Sequence, residues 1–219
     1  MVTNNPAGVA YKAVLPESAF FQPAFPEGGN IHGEVVAVAN SDGRGVLFTV
    51  KLRNLPKVSA ALRRPPPSHP TKRRTHFADA LSHTAYHLHV APVPEDGNCT
   101  ETLGRVDPYI RGQTPPCNTA APATCQVGDL SGKHGTIPTN VSEWETSYID
   151  LYASTLQGIG AYFGNRSLVI HYPNLTRITC ASFARVNSSV VVPNGTTTPR
   201  PTGALLLRWL LSYRRPRAR

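Results

Sequence analysis

Between Val46 and Arg53 the chain alternates: Val46, Phe48, Val50 and Leu52 fall on one side, and Leu47, Thr49, Lys51 and Arg53 on the other. Strand side chains repeat every two residues, so this run has one face for a core and one for solvent. Residues 31–39 carry a second half-buried strand. Ser41-Asp42-Gly43-Arg44-Gly45 between the two has the residues of a hairpin turn. Further short strands are expected at 86–91, 147–153, 167–172 and 177–183. Residues 92–140 are rich in Pro, Gly, Asn and Thr, and read as a long ordered loop tied by cystines. With Pro 21 and Gly 17 in 219 residues, the chain has the turn content of an all-β protein. Short strands joined by long loops give a sandwich or barrel.

Two segments break this rhythm. Residues 58–85 include RRPPPSHPTKRR, which has no core-forming pattern and reads as disordered or extended polyproline. Residues 191–219 form a linker and a basic tail, expected to be disordered. The insertion contributes +4 and residues 200–219 contribute +6 of the net +9, which leaves the rest at −1. A nucleic-acid binder carries its basic stripe on the folded surface, so the charge distribution argues against that class. No run of about 20 apolar residues exists to span a bilayer. The apolar stretch at 204–211 is interrupted by Arg208, and the chain ends on arginines instead of an apolar anchor signal.

Cysteine and asparagine usage points outside the cell. Cys99, Cys117, Cys125 and Cys180 form no C-x-x-C pair, and an even count suits two disulfides. Asn98, Asn140, Asn165, Asn174, Asn187 and Asn194 each begin an Asn-x-Ser/Thr triplet, a glycosylation acceptor in a secreted protein. The first residues carry neither a basic start nor an apolar core, so no signal peptide is expected within this chain.

The chemistry centres on histidine. His87 and His89 stand at i and i+2 of a strand and project from one face. His171 lies in a second apolar strand, where a buried imidazole must be hydrogen-bonded or ligated. Imidazole-only ligation suits copper or zinc. A satisfied core histidine or a chance pair is the other reading of the same pattern.

Longer motifs carry more. YHLHVAPVPEDGNCT at 86–100, VDPYIRG at 106–112, CQVGDLSGKHG at 125–135, GIGAYFGNRS at 158–167 and RITC at 177–180 resemble those of the copper-only superoxide dismutase-like cell-surface proteins of fungi. The resemblance runs over residues 2–57 and 86–190. It implies a Greek-key β-sandwich of the copper/zinc superoxide dismutase type, a superoxide substrate, and a place at the cell surface or outside the cell. It implies one copper per chain on His87, His89 and His171, and Arg177 as the cation that guides superoxide to copper. It implies a disulfide between Cys99 and Cys180, leaving Cys117 and Cys125 for a second. A monomer is expected.

The resemblance also has departures. The wider superfamily places a zinc-binding histidine three residues before an aspartate; here that run is Gln126-Val-Gly-Asp129, and glutamine is a poor zinc ligand, so no zinc is expected. Where the family has a further copper-ligating histidine this chain has Arg105, which offers no lone pair. Asp129, which would orient that histidine, is then free to pair with Arg105. Three imidazoles still hold Cu(I), whereas Cu(II) prefers a tetragonal site. The alternative to an active enzyme is therefore a catalytically impaired copper-binding extracellular glycoprotein. His134, in the same motif, has no evident metal role. The insertion at 58–85 replaces a short link and reads as a translated intron.

Overall fold

The computed structural model describes residues 1–57, 84–139 and 141–187. The insertion, apart from its last two residues, and the C-terminal tail lie outside them. Among the described residues, eight strands form two antiparallel sheets. In chain order they are β1 (Ala10–Val14), β2 (His32–Ala39), β3 (Val46–Arg53), β4 (Ala85–His89), β5 (Glu143–Asp150), β6 (Ser167–His171), β7 (Arg177–Ser182) and β8 (Ala184–Val186). One sheet has the order β5-β3-β2-β1-β8 and the other β4-β6-β7. A one-turn helix, α1, spans Leu130–His134.

The alternation of β3 sets the core. Val46, Phe48, Val50 and Leu52 are all buried, and across the register β2 adds Val35, Ala37 and Ala39. The smaller sheet answers with Tyr86 and Leu88 of β4 and Leu168 and Ile170 of β6. Each large apolar side chain removed from water here contributes about 2 kcal/mol. The hairpin between β2 and β3 closes on Gly43 and Gly45, both at positive φ. A Cβ on Gly45 would lie 2.6 Å from the Asp150 carbonyl, so only glycine lets this turn sit on the end of β5.

The consequence of two-residue periodicity in the smaller sheet is decisive for the site. With Tyr86, Leu88, Leu168 and Ile170 turned to the core, His87, His89, Val169 and His171 must face the other way. Loops bury that outer face. Leu88 N–H donates to the Gly128 carbonyl, Val106 N–H to Leu88, and Gly128 N–H to Val106, at 2.8–2.9 Å. A Cβ on Gly128 would fall 2.3 Å from the Leu88 carbonyl, so this close approach requires glycine.

Observed boundaries differ from the sequence pattern in places. β5 begins at Glu143 and stops at Asp150, because its whole length pairs with β3 and the Asp150 carboxylate then accepts the N–H groups of Tyr152 and Ala153. β1, β8 and α1 add to the expected strands. Two cystines, Cys99–Cys180 and Cys117–Cys125, tie the long loop, the first to β7 and the second within itself. No helix among the described residues is long and apolar enough to cross a membrane.

Candidate metal centre

His87, His89 and His171 converge on the outer face of the smaller sheet, only 2%, 2% and 5% exposed. One nitrogen from each lies within 4.8 Å of the others. The ring centroids of His87 and His89 stand 4.9 and 5.2 Å from that of His171. Burial lowers the pKa of His87 to about 4 and of His89 to about 3, and that of His171 well below the usual histidine range. All three rings are therefore neutral at neutral pH, each with one N–H and one lone pair.

Hydrogen bonds decide which nitrogen keeps its lone pair. His89 Nδ1 donates to the Leu103 carbonyl at 2.8 Å, and His171 Nδ1 to the Leu175 carbonyl at 3.3 Å. His87 Nε2 faces the Asp129 carboxylate at 3.4 Å. The lone pairs left over are His87 Nδ1, His89 Nε2 and His171 Nε2. His87 Nδ1 is buried with no hydrogen-bond partner, and the other two face each other at 3.2 Å. Opposed lone pairs and an orphaned buried acceptor are costly unless a cation lies among them. The donor set thus fits a metal ion that accepts imidazole, copper or zinc. Each ring is also anchored through its second nitrogen, as metal-ligating histidines are.

Leu103 and Leu175, which supply the two carbonyls, both have positive φ, 62° and 68°. Their side chains are largely solvent-exposed. No sequence signal singles them out; leucine is disfavoured in that region of backbone space.

Asp129 caps α1 by accepting from Gly132 N–H at 2.9 Å. Its other oxygen meets the Arg105 guanidinium at 3.1 Å. Burial alone would raise its pKa, but the His87 hydrogen bond and the Arg105 charge hold it at about 2. Arg105 pairs with His89 across an isolated β-bridge, so its backbone borders the cluster while its side chain turns to Asp129. Gln126 donates its amide to Asp107 at 3.0 Å.

Arg177 lies opposite His171 in the β6–β7 register. Its guanidinium donates to the carbonyls of Cys99, Thr100 and Leu103 and to the Thr102 hydroxyl. The Leu103 carbonyl therefore serves both Arg177 and His89, and the positive charge is held beside the histidine cluster. Of the asparagines that begin Asn-x-Ser/Thr triplets, Asn165 and Asn187 are exposed, and Asn98 and Asn174 are partly buried. Asn140 and Asn194 lie outside the described residues.

No protein-family profile matches the chain. A cell-surface Cu-only superoxide dismutase of Arthroderma benhamiae is 42% identical over 206 residues, covering 91% of this chain and 52% of that protein. The cell-surface Cu-only superoxide dismutase 5 of Candida albicans is 41% identical over 97 residues, 44% of this chain and 40% of that protein. The chain thus spans about half the length, or less, of these curated relatives. Among solved structures, Candida albicans superoxide dismutase 5 with Cu(II) superposes with a TM-score of 0.59 at 27% identity, covering 90% of this chain and all of that one. The sandwich is therefore of the superoxide dismutase type, and the likeness in sequence extends over most of the chain.

Proposed function

A chain related over most of its length to the fungal cell-surface Cu-only superoxide dismutases is, we propose, itself a copper protein that disproportionates superoxide to oxygen and hydrogen peroxide. The observation that carries the reading is the convergence of three buried imidazole lone pairs, His87 Nδ1, His89 Nε2 and His171 Nε2. Those three atoms would hold one copper ion. When bound, copper supplies the chemistry that the protein lacks, one-electron acceptance from one superoxide and donation to another.

The chain's own residues do the rest. Arg177 is fixed by its bonds to the 99–103 segment, and holds a positive charge where an anion must approach. Asp129 orients His87, and the Leu103 and Leu175 carbonyls orient His89 and His171. Solvent supplies the protons for peroxide. Arg105 directs its charge at Asp129 and leaves the three-imidazole set intact.

The absence of zinc is part of the reading. Gln126 presents its N–H to Asp107, and Arg105 places a cation on Asp129, so neither end of this motif offers a free anionic ligand. The body formed by residues 1–57 and 86–190 would act as one domain, as a monomer at the cell surface or outside the cell.

Superoxide consumption by the copper-reconstituted protein, with copper and zinc counted on the same sample, tests the reading. About one copper per chain, no zinc and rapid consumption are expected. Bound copper without consumption would overturn the enzymatic assignment, and failure to take up copper would overturn the metal assignment.

A further inference from the structure

Helix α1 has five residues, Leu130-Ser-Gly-Lys-His134, too short to be stable alone. Yet its N-cap, Asp129, presents the carboxylate that faces His87. Something outside the helix must hold it. Ser131 Oγ donates to the Tyr86 carbonyl at 2.9 Å and accepts from the Tyr86 N–H, the residue before His87. At the other end, Lys133 and His134 share one oxygen of Asp150, at 2.5 and 2.7 Å. Lys133 Nζ also donates to the Val127 carbonyl at 2.7 Å, two residues before Asp129. The second Asp150 oxygen takes the N–H groups of Tyr152 and Ala153, which fixes the carboxylate to the end of β5. His134 lies flat on the Tyr148 ring with centroids 4.0 Å apart.

The Lys133 and Asp150 side chains are wholly buried. A buried ion pair is weak evidence of stability, since its desolvation offsets most of the attraction. This one does locate something: it clamps both flanks of Asp129 to the larger sheet, while His87 belongs to the smaller one. We propose that Lys133, His134 and Asp150 form a positioning clamp that holds Asp129 against His87 and so fixes His87 with Nδ1 free for the metal.

The inference deepens the copper reading and rests on it, but its geometry can be read without metal. His134→Phe keeps the stack on Tyr148 and removes the bond to Asp150; His134→Gln keeps a donor. In the metal-free protein, the 15N-labelled His87 Nε2–H should be protected from solvent exchange in the wild type and in His134→Gln. It should exchange about threefold or more faster in His134→Phe. The dissociation constant for Cu(II) should rise about three- to tenfold in His134→Phe, less than for loss of a direct ligand partner, and stay within about twofold in His134→Gln. A role confined to stability would move the melting temperature and leave these two readouts alone. Should His134→Phe fail to fold, Lys133→Met tests the same clamp with an apolar chain in a fully buried position. Exchange and affinity unchanged from the wild type, or changed equally by Phe and Gln, would overturn the proposal. If the wild type takes up no Cu(II), the copper reading fails, and the His87 exchange rates still decide whether the clamp exists.

Discussion

Leu103 offers the sharpest test of how the site is held. Its backbone sits at φ 62° and ψ −141°, a region that glycine enters freely and leucine does not. The carbonyl aimed by that conformation takes His89 Nδ1 and the Arg177 guanidinium. The side chain is 58% exposed, so most of what leucine contributes here lies in the backbone it must adopt. Comparing Leu103→Ala with Leu103→Gly separates the two effects. Both lose the same partial burial. Alanine keeps the strain, about 1–3 kcal/mol for a residue in such a region. Glycine removes it but costs about 0.5–1 kcal/mol in unfolded-chain entropy. The glycine variant should therefore be the more stable by about 1 kcal/mol, which is roughly 2–4 °C in melting temperature for a domain of this size. At an ordinary position the order is reversed. Urea unfolding of the two metal-free variants reads the difference. Copper affinity should be unchanged in the glycine variant, since only the carbonyl is used. A glycine variant no more stable than the alanine variant would refute the argument that strain at Leu103 aims this carbonyl.

Three further outcomes follow from the same geometry. Asp129→Ala leaves Arg105 and the His87 N–H without their partner in a largely buried setting; copper affinity should fall about 10–100-fold by titration and stability by about 2–3 kcal/mol. Arg105→His places a fourth imidazole across the β-bridge from His89 and should move the Cu(II) paramagnetic resonance spectrum toward a tetragonal site; an unchanged spectrum would show that residue 105 does not reach the metal. Acid should destabilise the metal-free protein first through its histidines. His87 titrates at about 4 when folded and near 6.5 when unfolded, so the unfolded chain binds the proton first. Its share of stability is present above about 6.5 and is lost as pH falls toward 4, by roughly 3 kcal/mol. Unfolding curves at pH 7 and pH 4.5 should show the loss, and a metal-free protein equally stable at both would contradict it.

How much of this was legible in the sequence depended on whether the signal was local. The alternation of Val46–Arg53 reads directly because Val46, Phe48, Val50 and Leu52 of β3 all meet the core. β5 is harder: its residues before Asp150 are exposed or half-buried, and among its first four Trp144 alone packs against the core. β1 is only five residues long, and its place in the sheet comes from pairing with β2 on one side and β8 on the other. Helix α1 is shorter than any isolated helix that water tolerates and contains Gly132; it exists because Asp129 caps it and Asp150 tethers it, both tertiary facts.

The same division runs through the site. The i, i+2 spacing of His87 and His89 puts two imidazoles on one face, and the lone histidine of an apolar strand supplies the third. What spacing cannot give is which nitrogen of each ring remains free, because that follows from acceptors far along the chain: Leu103, Asp129 and Leu175. Two of those are exposed leucines in conformations that local rules assign to glycine or asparagine. A carbonyl has no residue identity, so a site whose rings are aimed by peptide groups hides half of its design from the sequence. The substitution at Arg105 is visible as a departure from motif, but its effect depends on where the guanidinium goes. It goes to Asp129, the acceptor that faces His87, so the residue at position 105 bears on the orientation of that histidine.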